Sequence, residues 1–389
     1  MELTSGAVAI VATVDTKGKE VAFVARAIEA HGRPSRIFDI GTGAAFTDGA
    51  GRSRSPSELL AGIAERTRTQ LRRAVDAGEV SAVLGIAGGK GSAAFGAIVE
   101  DLPYGFPRLL VSSARPALLA ELAARSDLLL YPTLVDLFGI NHFTGRVLGN
   151  AAAALAAMRV GTGRRPGRKT VAITAFGVTT PAANACAERL RGAGIEPIVF
   201  PANGAGGRTM EKLIRAGEFD GVIDLSTTEL ADELVGGTAS AGPERLSAAG
   251  ERGIPQLIAP GAVDMVNFGA PASVPAGFRG RTFFSHTPYT TLMRTTADEN
   301  RAIGRRVGQK LAAARGPACV LWPRRGVSDY DREGHAFIDP EADRAWLLGL
   351  RETLPPAIAS IELDCHINDA AFAQAAVAWL LEQLAQESS

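Results

Sequence analysis

Two glycine-rich turns contain the residues whose types and spacing best suit the binding of an anion. GGKGS occupies residues 88–92 after an apolar run, and NGAGGR occupies residues 203–208 before a helical pattern. Free N–H groups at a helix N-terminus favour negative charge, and glycines let an anion approach the backbone. Each turn also supplies a cation. We predict that both turns bind phosphate or carboxylate, although each could be a plain connection. The candidate cofactor-binding residues here are Gly88, Gly89, Lys90, Gly91, Ser92, Asn203, Gly204, Gly206, Gly207 and Arg208.

Neither turn matches a standard nucleotide-binding motif. A Walker A loop would need glycine where Leu84 stands and serine or threonine where Gly91 stands. The second turn lacks the G-x-G-x-x-G register because Thr209 takes the place of its last glycine. The glycines therefore predict an anion-binding site that matches neither the Walker A motif nor the dinucleotide-binding motif.

Two further polar turns follow apolar runs. VDTKGKE (14–20) contains Lys17, which could bind a phosphate or carboxylate, whereas Asp15 and Thr16 could bind the same ligand or cap the next helix. DLSTTELADE (224–233) contains Thr227 and Thr228, for which capping and cofactor binding are both open.

Acid, base and anion-clamping roles have five candidates. Glu211 and Glu229 could hold a metal-bound water or act as acid and base, or could cap helices. His286 and His366 could transfer protons while Arg294 binds a carboxylate, but structural hydrogen bonding is equally compatible. A wider polar set could converge with them: Asp136, Asn141, Asp224, Asp264 and Asn368. The sequence contains no HExxH, GxSxG or Cys/His cluster, so we predict no protein-held metal site.

Alternation of short β-branched runs with helical patterns predicts an α/β fold. The basic, glycine-rich stretch at 159–169 reads as a link, which gives an N-terminal lobe at 1–162 and a C-terminal lobe at 168–389. We expect two Rossmann-like, doubly wound parallel-sheet lobes with an interlobe cleft. Ligands of such folds bind beyond the carboxyl ends of the strands, where the polar turns lie.

Composition excludes several classes of partner. The 41 basic residues balance the 41 acidic ones, so no strong field attracts nucleic acid or an anionic membrane. Three widely spaced cysteines predict neither disulfides nor a zinc site, which suits the reducing cytoplasm. No apolar run is long enough to span a membrane, and the N-terminus lacks the basic region of a secretion signal.

Nine segments, in this order along the chain, resemble the family of the tomato mosaic virus resistance protein. They are TVDTKGKE, LPYGFPRLLVSS, VDLFGIN, AFGVTTP, NGAGGRTMEKLIRAG, DLSTTELADELVGG, IPQLIAPGAVDMVNFG, TLMRTTADE and HIND. The resemblance implies two Rossmann-like subdomains, a homodimer and ATP binding. The plant relative binds a viral replication protein and has an additional C-terminal domain, so viral inhibition is not expected here.

The chain departs from that family in turns expected to face a ligand. GGKGSA stands where the family shows a turn like GGSGGT, and Pro201 and Asn203 replace a histidine and a threonine. The leading hypothesis is an ATP-binding protein, and more narrowly an ATP- and Mg²⁺-dependent enzyme acting on a small metabolite in the cleft. Two alternatives stay open: an ATP-independent lyase or hydrolase of a small organic acid, and a nucleotide-responsive regulatory binding module.

Overall fold

Two α/β units make up the chain. The structure, a computed structural model, describes residues 6–43, 55–161 and 167–386. Unit 1 comprises Met1–Gly163 and unit 2 comprises Arg164–Ser389. The predicted link at 159–169 lies partly outside the described residues, as do the predicted lobe ends at 162 and 389.

Unit 1 is a parallel sheet covered by helices on both faces. Within residues 6–43 and 55–161, five strands pair in the order β2-β1-β3-β4-β5, all in parallel. Val8 and Ile10 contribute to one buried apolar cluster, whereas Ala9 and Val11 contribute to the other, as expected for a strand that is covered on both faces. The elements are β1 (Ala7–Ala12), α1 (Val14–Ala30), β2 (Ser35–Asp39), α2 (Pro56–Asp76), β3 (Val80–Ala87), α3 (Gly89–Val99), β4 (Arg108–Ser112), α4 (Pro116–Ala123), β5 (Leu129–Pro132) and α5 (His142–Ala157).

Unit 2 has a larger parallel sheet and an antiparallel insertion. Between residues 167 and 386, six parallel strands pair in the order β14-β13-β9-β8-β6-β7, and three antiparallel strands pair in the order β10-β12-β11. The elements are β6 (Thr170–Ala175), α6 (Thr180–Gly192), β7 (Glu196–Pro201), α7 (Ala205–Arg215), β8 (Gly221–Ser226), α8 (Thr228–Val235), α9 (Ala248–Arg252), β9 (Gln256–Gly261), β10 (Met265–Phe268), β11 (Phe283–Thr287), β12 (Thr290–Arg294), α10 (Ala297–Ala312), β13 (Ala318–Pro323), α11 (Pro340–Thr353), β14 (Ala359–Leu363) and α12 (Ala370–Gln386).

Helices α10 and α11 approach closely enough for their backbones to touch. A Cβ atom added to Gly304 would lie 1.9 Å from the carbonyl oxygen of Trp346, and one added to Gly349 would lie 2.0 Å from that of Arg301. Such contact leaves little freedom for either helix to shift, so α10 is a rigid support for the side chains on its other faces.

The strand order reverses direction once in each parallel sheet. The reversal lies between β1 and β3 in unit 1 and between β6 and β8 in unit 2. Ligands of open α/β sheets bind at such reversals, beyond the carboxyl ends of the strands. The predicted fold class, α/β with two doubly wound parallel-sheet lobes, is confirmed. Within the described ranges, none of the helices is both long and apolar enough to cross a membrane.

Candidate functional site

In unit 1, two of the predicted turns lie side by side at the sheet reversal. The turn at 13–17 follows β1 and the turn at 88–92 follows β3, and these strands pair directly through Ala12 and Ile86. Helix α3 begins at Gly89 with no side-chain cap, because its N-cap residue is Gly88. Gly89 is exposed, and a Cβ atom added there would meet no atom within 4 Å. The start of α3 is therefore uncapped by any side chain and open to solvent at Gly89.

Side chains below this helix N-terminus fix it to the sheet. The Ser92 hydroxyl lies 2.7 Å from that of Ser112 at the end of β4, and both residues are buried. Ser92 thus anchors α3 rather than facing a ligand. Ser113 donates a hydrogen bond to Asp136 at 3.0 Å, which brings the segment after β5 to the same edge.

The β1 turn is also tied to its neighbours. Lys17 donates to the carbonyl oxygen of Leu137, and the helical backbone is distorted at Lys17 (φ −122°, ψ 19°). Thr16 contacts the hydroxyl of Thr13 at 2.7 Å, and Asp15 accepts from the N–H of Gly43 at 3.3 Å. The structure therefore gathers Asp15, Thr16 and Lys17 with the 88–91 glycines at one edge of the sheet.

In unit 2, the turn at 203–208 does hold an anion, but the anion is the side chain of Glu229. Oε1 of Glu229 accepts from the N–H groups of Gly204 at 2.6 Å and Gly207 at 3.1 Å. Gly206 donates instead to Asn203 at 3.0 Å. A Cβ atom on Gly207 would lie 2.2 Å from the Glu229 carboxylate, and Gly204 adopts φ +88°, so glycine is needed at both positions. The donors predicted for a phosphate are thus engaged, and ligand binding there would require Glu229 to move.

Other residues predicted to bind a cofactor in unit 2 serve the fold as well. Arg208 donates to the carbonyl oxygen of Ser240 at 2.7 Å. Thr227 and Thr228 are fully buried, and their hydroxyls donate to the carbonyl oxygens of Ala259 and Met265. These bonds fasten the start of α8 to the neighbouring strands.

Arg245 lies at the centre of a buried charge cluster. Its guanidinium is fully buried and forms two bonds with Asp224, at 2.5 and 2.6 Å, and one with Glu229 at 2.6 Å. Glu211 lies 3.4 Å away. Burial alone would lower the pKa of Arg245, but the surrounding carboxylates raise it well above its ordinary value. Arg245 is not among the residues predicted from the sequence, because a lone arginine in a loop gives no signal of burial.

Glu211 completes the cluster through the backbone. It accepts from the N–H groups of Leu246 at 2.6 Å, Ser247 at 3.2 Å and Ala248 at 2.7 Å. Glu211 and Glu229 are 4% and 0% exposed, so both predicted catalytic carboxylates hold backbone segments and contact little solvent in this structure. Among the described residues, no three His, Cys, Asp or Glu side chains are arranged to hold a metal ion.

The predicted histidines of unit 2 meet at one loop, residues 328–332. His366 is 5% exposed, and its Nε2 lies 2.9 Å from the Ser328 carbonyl oxygen. Its Nδ1 accepts from the N–H of Asn368, so this bonding pattern assigns the proton to Nε2. Burial lowers the pKa of His366. His286 is exposed and contacts the hydroxyl of Tyr330 at 2.7 Å.

Arg294, predicted as an anion clamp, is engaged inside the protein. It donates to the Phe337 carbonyl oxygen at 2.8 Å, to Asp343 at 2.6 Å and to Thr295 at 3.0 Å. It is only 6% exposed, so these bonds orient the residues after β12 and the start of α11.

Asp264 lies beneath the same loop and has an unusual environment. It is fully buried and accepts from the Ser328 hydroxyl at 2.7 Å, while its Oδ1 has no partner among the described residues. Burial raises the pKa of Asp264 to about 7, which Arg294 opposes and Asp331 reinforces. Ser328 and Asp331 are not among the residues predicted from the sequence, although their position after β13 was a usable signal.

The family is evident from comparison with known proteins. The N-terminal and C-terminal domains of the Uncharacterised protein family UPF0261 match residues 45–163 and 168–384. The chain belongs to the UPF0261 family. A UPF0261 protein of Mesorhizobium japonicum is 39% identical over 95% of this chain and 98% of its own length. The tomato mosaic virus resistance protein Tm-1(GCR237) of Solanum lycopersicum is 38% identical over 83% of this chain and 44% of that protein, which confirms the predicted resemblance.

Solved structures add no functional information about this UPF0261 chain. MurG of Acinetobacter baumannii is 13% identical, covers 65% of this chain and 79% of its own, and has a TM-score of 0.26. A TM-score this low supports no comparison of sites.

Replacing Arg245 with methionine should strongly destabilise unit 2. The change would leave three buried carboxylates without their counter-charge, for which we expect a loss of about 3–5 kcal/mol in the free energy of unfolding. Arg215→Met is the control, because Arg215 makes exposed ion pairs with Glu244 and Glu251 that should contribute less than about 1 kcal/mol. Urea unfolding at pH 7 measures both. Equal losses in the two variants would show that the buried Arg245 cluster contributes no more to the free energy of unfolding than the exposed ion pairs of Arg215.

Asp264 should make stability fall as pH rises through the neutral range. An unfolded aspartate loses its proton near 3.8, whereas folded Asp264 retains it to about 7. At Asp264 the folded state therefore binds more protons between these values, so the contribution of Asp264 to the free energy of unfolding decreases from about pH 4 to pH 7 and then levels off. Asp264→Asn, which does not titrate, should gain on the order of 2–4 kcal/mol relative to the parent between pH 5 and pH 8.

The exposed Asp298→Asn is the control for this pH series, since it changes the same charge on the surface of the same unit. Unfolding in urea at pH 5, 6, 7 and 8 gives the four comparisons. A parallel pH dependence of parent and Asp264→Asn would show that Asp264 is ionised throughout.

Proposed function

We propose that unit 1 binds the phosphate groups of a nucleotide, ATP with Mg²⁺, at the carboxyl edge of its sheet. The observation that supports this most is the uncapped start of α3 at 88–91, adjacent to the β1 turn at the point where the strand order reverses. Open N–H groups, a helix dipole and absent side chains are the features that phosphate sites use at this position of α/β folds.

Each group at this edge would have a defined part in the complex. The N–H groups of Gly89, Lys90 and Gly91 would donate to phosphate oxygens, and the Lys90 ammonium, which is exposed, would add a charge-assisted bond. Lys17 would approach the same oxygens with a donor not used by Leu137, since an ammonium has three. Mg²⁺ would bind mainly phosphate oxygens and water, as it commonly does with triphosphates.

The glycine turn of unit 2 is not part of this proposal, because Glu229 engages its donors. Use of ATP in a reaction on a small metabolite, a homodimeric state and a cytoplasmic location belong to the same proposal. The homodimer rests on the family resemblance, the location rests on the three widely spaced cysteines, and the reaction rests on the glycine-rich turns and their cations.

The nucleotide proposal is tested by a charge placed at Gly89. Gly89→Asp should weaken binding of ATP and Mg²⁺ by at least about ten-fold, because a carboxylate would stand where the phosphate binds. The same change should keep or slightly raise stability, since an acidic side chain suits the first turn of a helix. Gly89→Asn is the control of equal shape and should bind within about three-fold of the parent. Isothermal titration calorimetry measures all three proteins.

Absence of binding to the parent, or equal affinity of the Asp variant, would refute the proposal. A parent that binds ATP but converts neither it nor any added metabolite would instead favour the regulatory binding module. An ATP-dependent enzyme and a regulatory binding module would bind ATP at the same site, and only the enzyme would convert a substrate.

A second candidate function has one specific observation in its favour. His286 and His366 both contact the loop at 328–332, and Asp264, with its raised pKa, lies beneath it. Groups that titrate near neutral pH are suited to proton transfer. An ATP-independent lyase or hydrolase of a small organic acid would use this edge of unit 2.

This second function predicts turnover that depends on His366. Proton NMR of the protein with a panel of hydroxy and oxo acids should reveal conversion without ATP, and His366→Gln should slow it by about 100-fold or more. His335→Gln is the control, because His335 is exposed on the same connecting segment. No conversion by the parent, or full activity of the His366 variant, would exclude it.

A further inference from the structure

A cavity of about 460 Å³ lies in unit 2 between α8, the segment 242–251 and α10. Its volume falls within the range of about 300–1,000 Å³ that is usual for small-molecule sites. Its described lining residues include none from the glycine-rich turns and none from the 328–332 loop. The cavity is therefore separate from both candidate sites described above.

Two cations on α10 face this cavity. Arg306 and Lys310 are one helical turn apart, and both line it. Lys310 donates to the carbonyl oxygen of Pro243 at 2.7 Å and to the hydroxyl of Ser247 at 3.1 Å, which are both neutral. Arg306 makes no hydrogen bond or ion pair with any residue in the described part of the chain. Burial lowers the pKa of Lys310, the charges of Glu211 and Glu244 oppose that effect, and the charge of Arg306 adds to it.

The acidic residues around the cavity are engaged elsewhere. Glu251 pairs with Arg215 at 2.7 Å, and Glu233 accepts from the Ser240 hydroxyl. Neither forms an ion pair with Arg306 or Lys310 in the structure. Arg306 and Lys310 thus lie one turn apart without a contacting carboxylate among the described residues, and a bound anion would add a direct counter-charge to that of Glu211, Glu244 and Glu251 nearby.

Apart from Ser247 and Gln309, the rest of the lining consists of apolar residues and glycines, and its walls are rigidly supported. Leu230, which is 1% exposed, lies on the α8 side, and Pro243 lies opposite α10. The N–H of Ser247 is held by Glu211 at 3.2 Å, which connects this wall to the Arg245 cluster. Helix α10 is fixed by the backbone contact at Gly304. Walls that are already ordered lose little entropy when a ligand binds.

We propose that this cavity binds a small organic anion, with its carboxylate or phosphate group on Arg306 and Lys310 and a short apolar portion against Leu230 and Pro243. The two head groups share one chemistry, which is a compact anion that accepts charge-assisted hydrogen bonds. This site is independent of nucleotide binding in unit 1.

The test compares three probes with the same hexyl chain: heptanoate, hexyl phosphate and neutral 1-hexanol. Calorimetric titration of the full chain should show at least one anion binding about ten-fold or more tightly than hexanol. The tighter of the two anions identifies the head group. Arg306→Gln should weaken that anion by about ten-fold or more and leave hexanol unchanged.

Two further variants separate this site from general effects. Arg305→Gln is the matched control, because Arg305 adjoins Arg306 on α10 but pairs with Glu352, and it should bind the anion like the parent. Ala313→Trp, at the exposed rim, should block binding by filling the cavity without removing a charge. Gly89→Asp should bind the probe like the parent even if the nucleotide proposal fails. Two results would overturn the proposal. Either both anions bind no more tightly than hexanol, or Arg306→Gln and Ala313→Trp both bind the anion with the affinity of the parent.

Discussion

The guanidinium of Arg245 is fully buried and lies against three carboxylates, and the arrangement of polar groups in unit 2 depends on this contact. Asp224 comes from the end of β8, Glu229 from the first turn of α8 and Glu211 from α7. Each would be costly to bury alone, and the shared counter-charge offsets part of that cost. Because Glu229 and Glu211 also accept backbone N–H groups, the cluster fixes the turn at 203–207 and the segment 246–248. The latter forms a wall of the cavity beside α10.

This constraint explains why two similar glycine-rich turns differ. In unit 2 the N–H groups of Gly204 and Gly207 receive a carboxylate from the chain itself. In unit 1 the start of α3 has no side-chain cap, and the N–H groups of residues 89–91 have no such partner in the part of the chain described. A helix N-terminus favours an anion in both cases. The anion is internal in one unit, and in the other we propose that it is a ligand.

The two units therefore carry different candidate chemistry. Unit 1 offers donors and lysines at a sheet reversal, which suits phosphate binding. Unit 2 offers histidines and an aspartate with a raised pKa around residues 328–332, which suits proton transfer, and a separate cavity with two cations. Membership of the UPF0261 family covers both units but assigns a reaction to neither, because function depends on the individual side chains of a site.

The sequence by itself determined the α/β class, the two parallel sheets and the position of polar turns at strand ends, because alternating apolar runs and turn residues act over a few neighbouring positions. It also placed the 13–17 and 88–92 turns among the candidates. Only the tertiary structure decided which turns keep open donors, since Glu229 meets Gly204 from 25 residues away. Arg245 and the pairing of β10 with β12 were likewise beyond the sequence. Their burial and partners arise from contacts between distant segments, which local patterns do not encode.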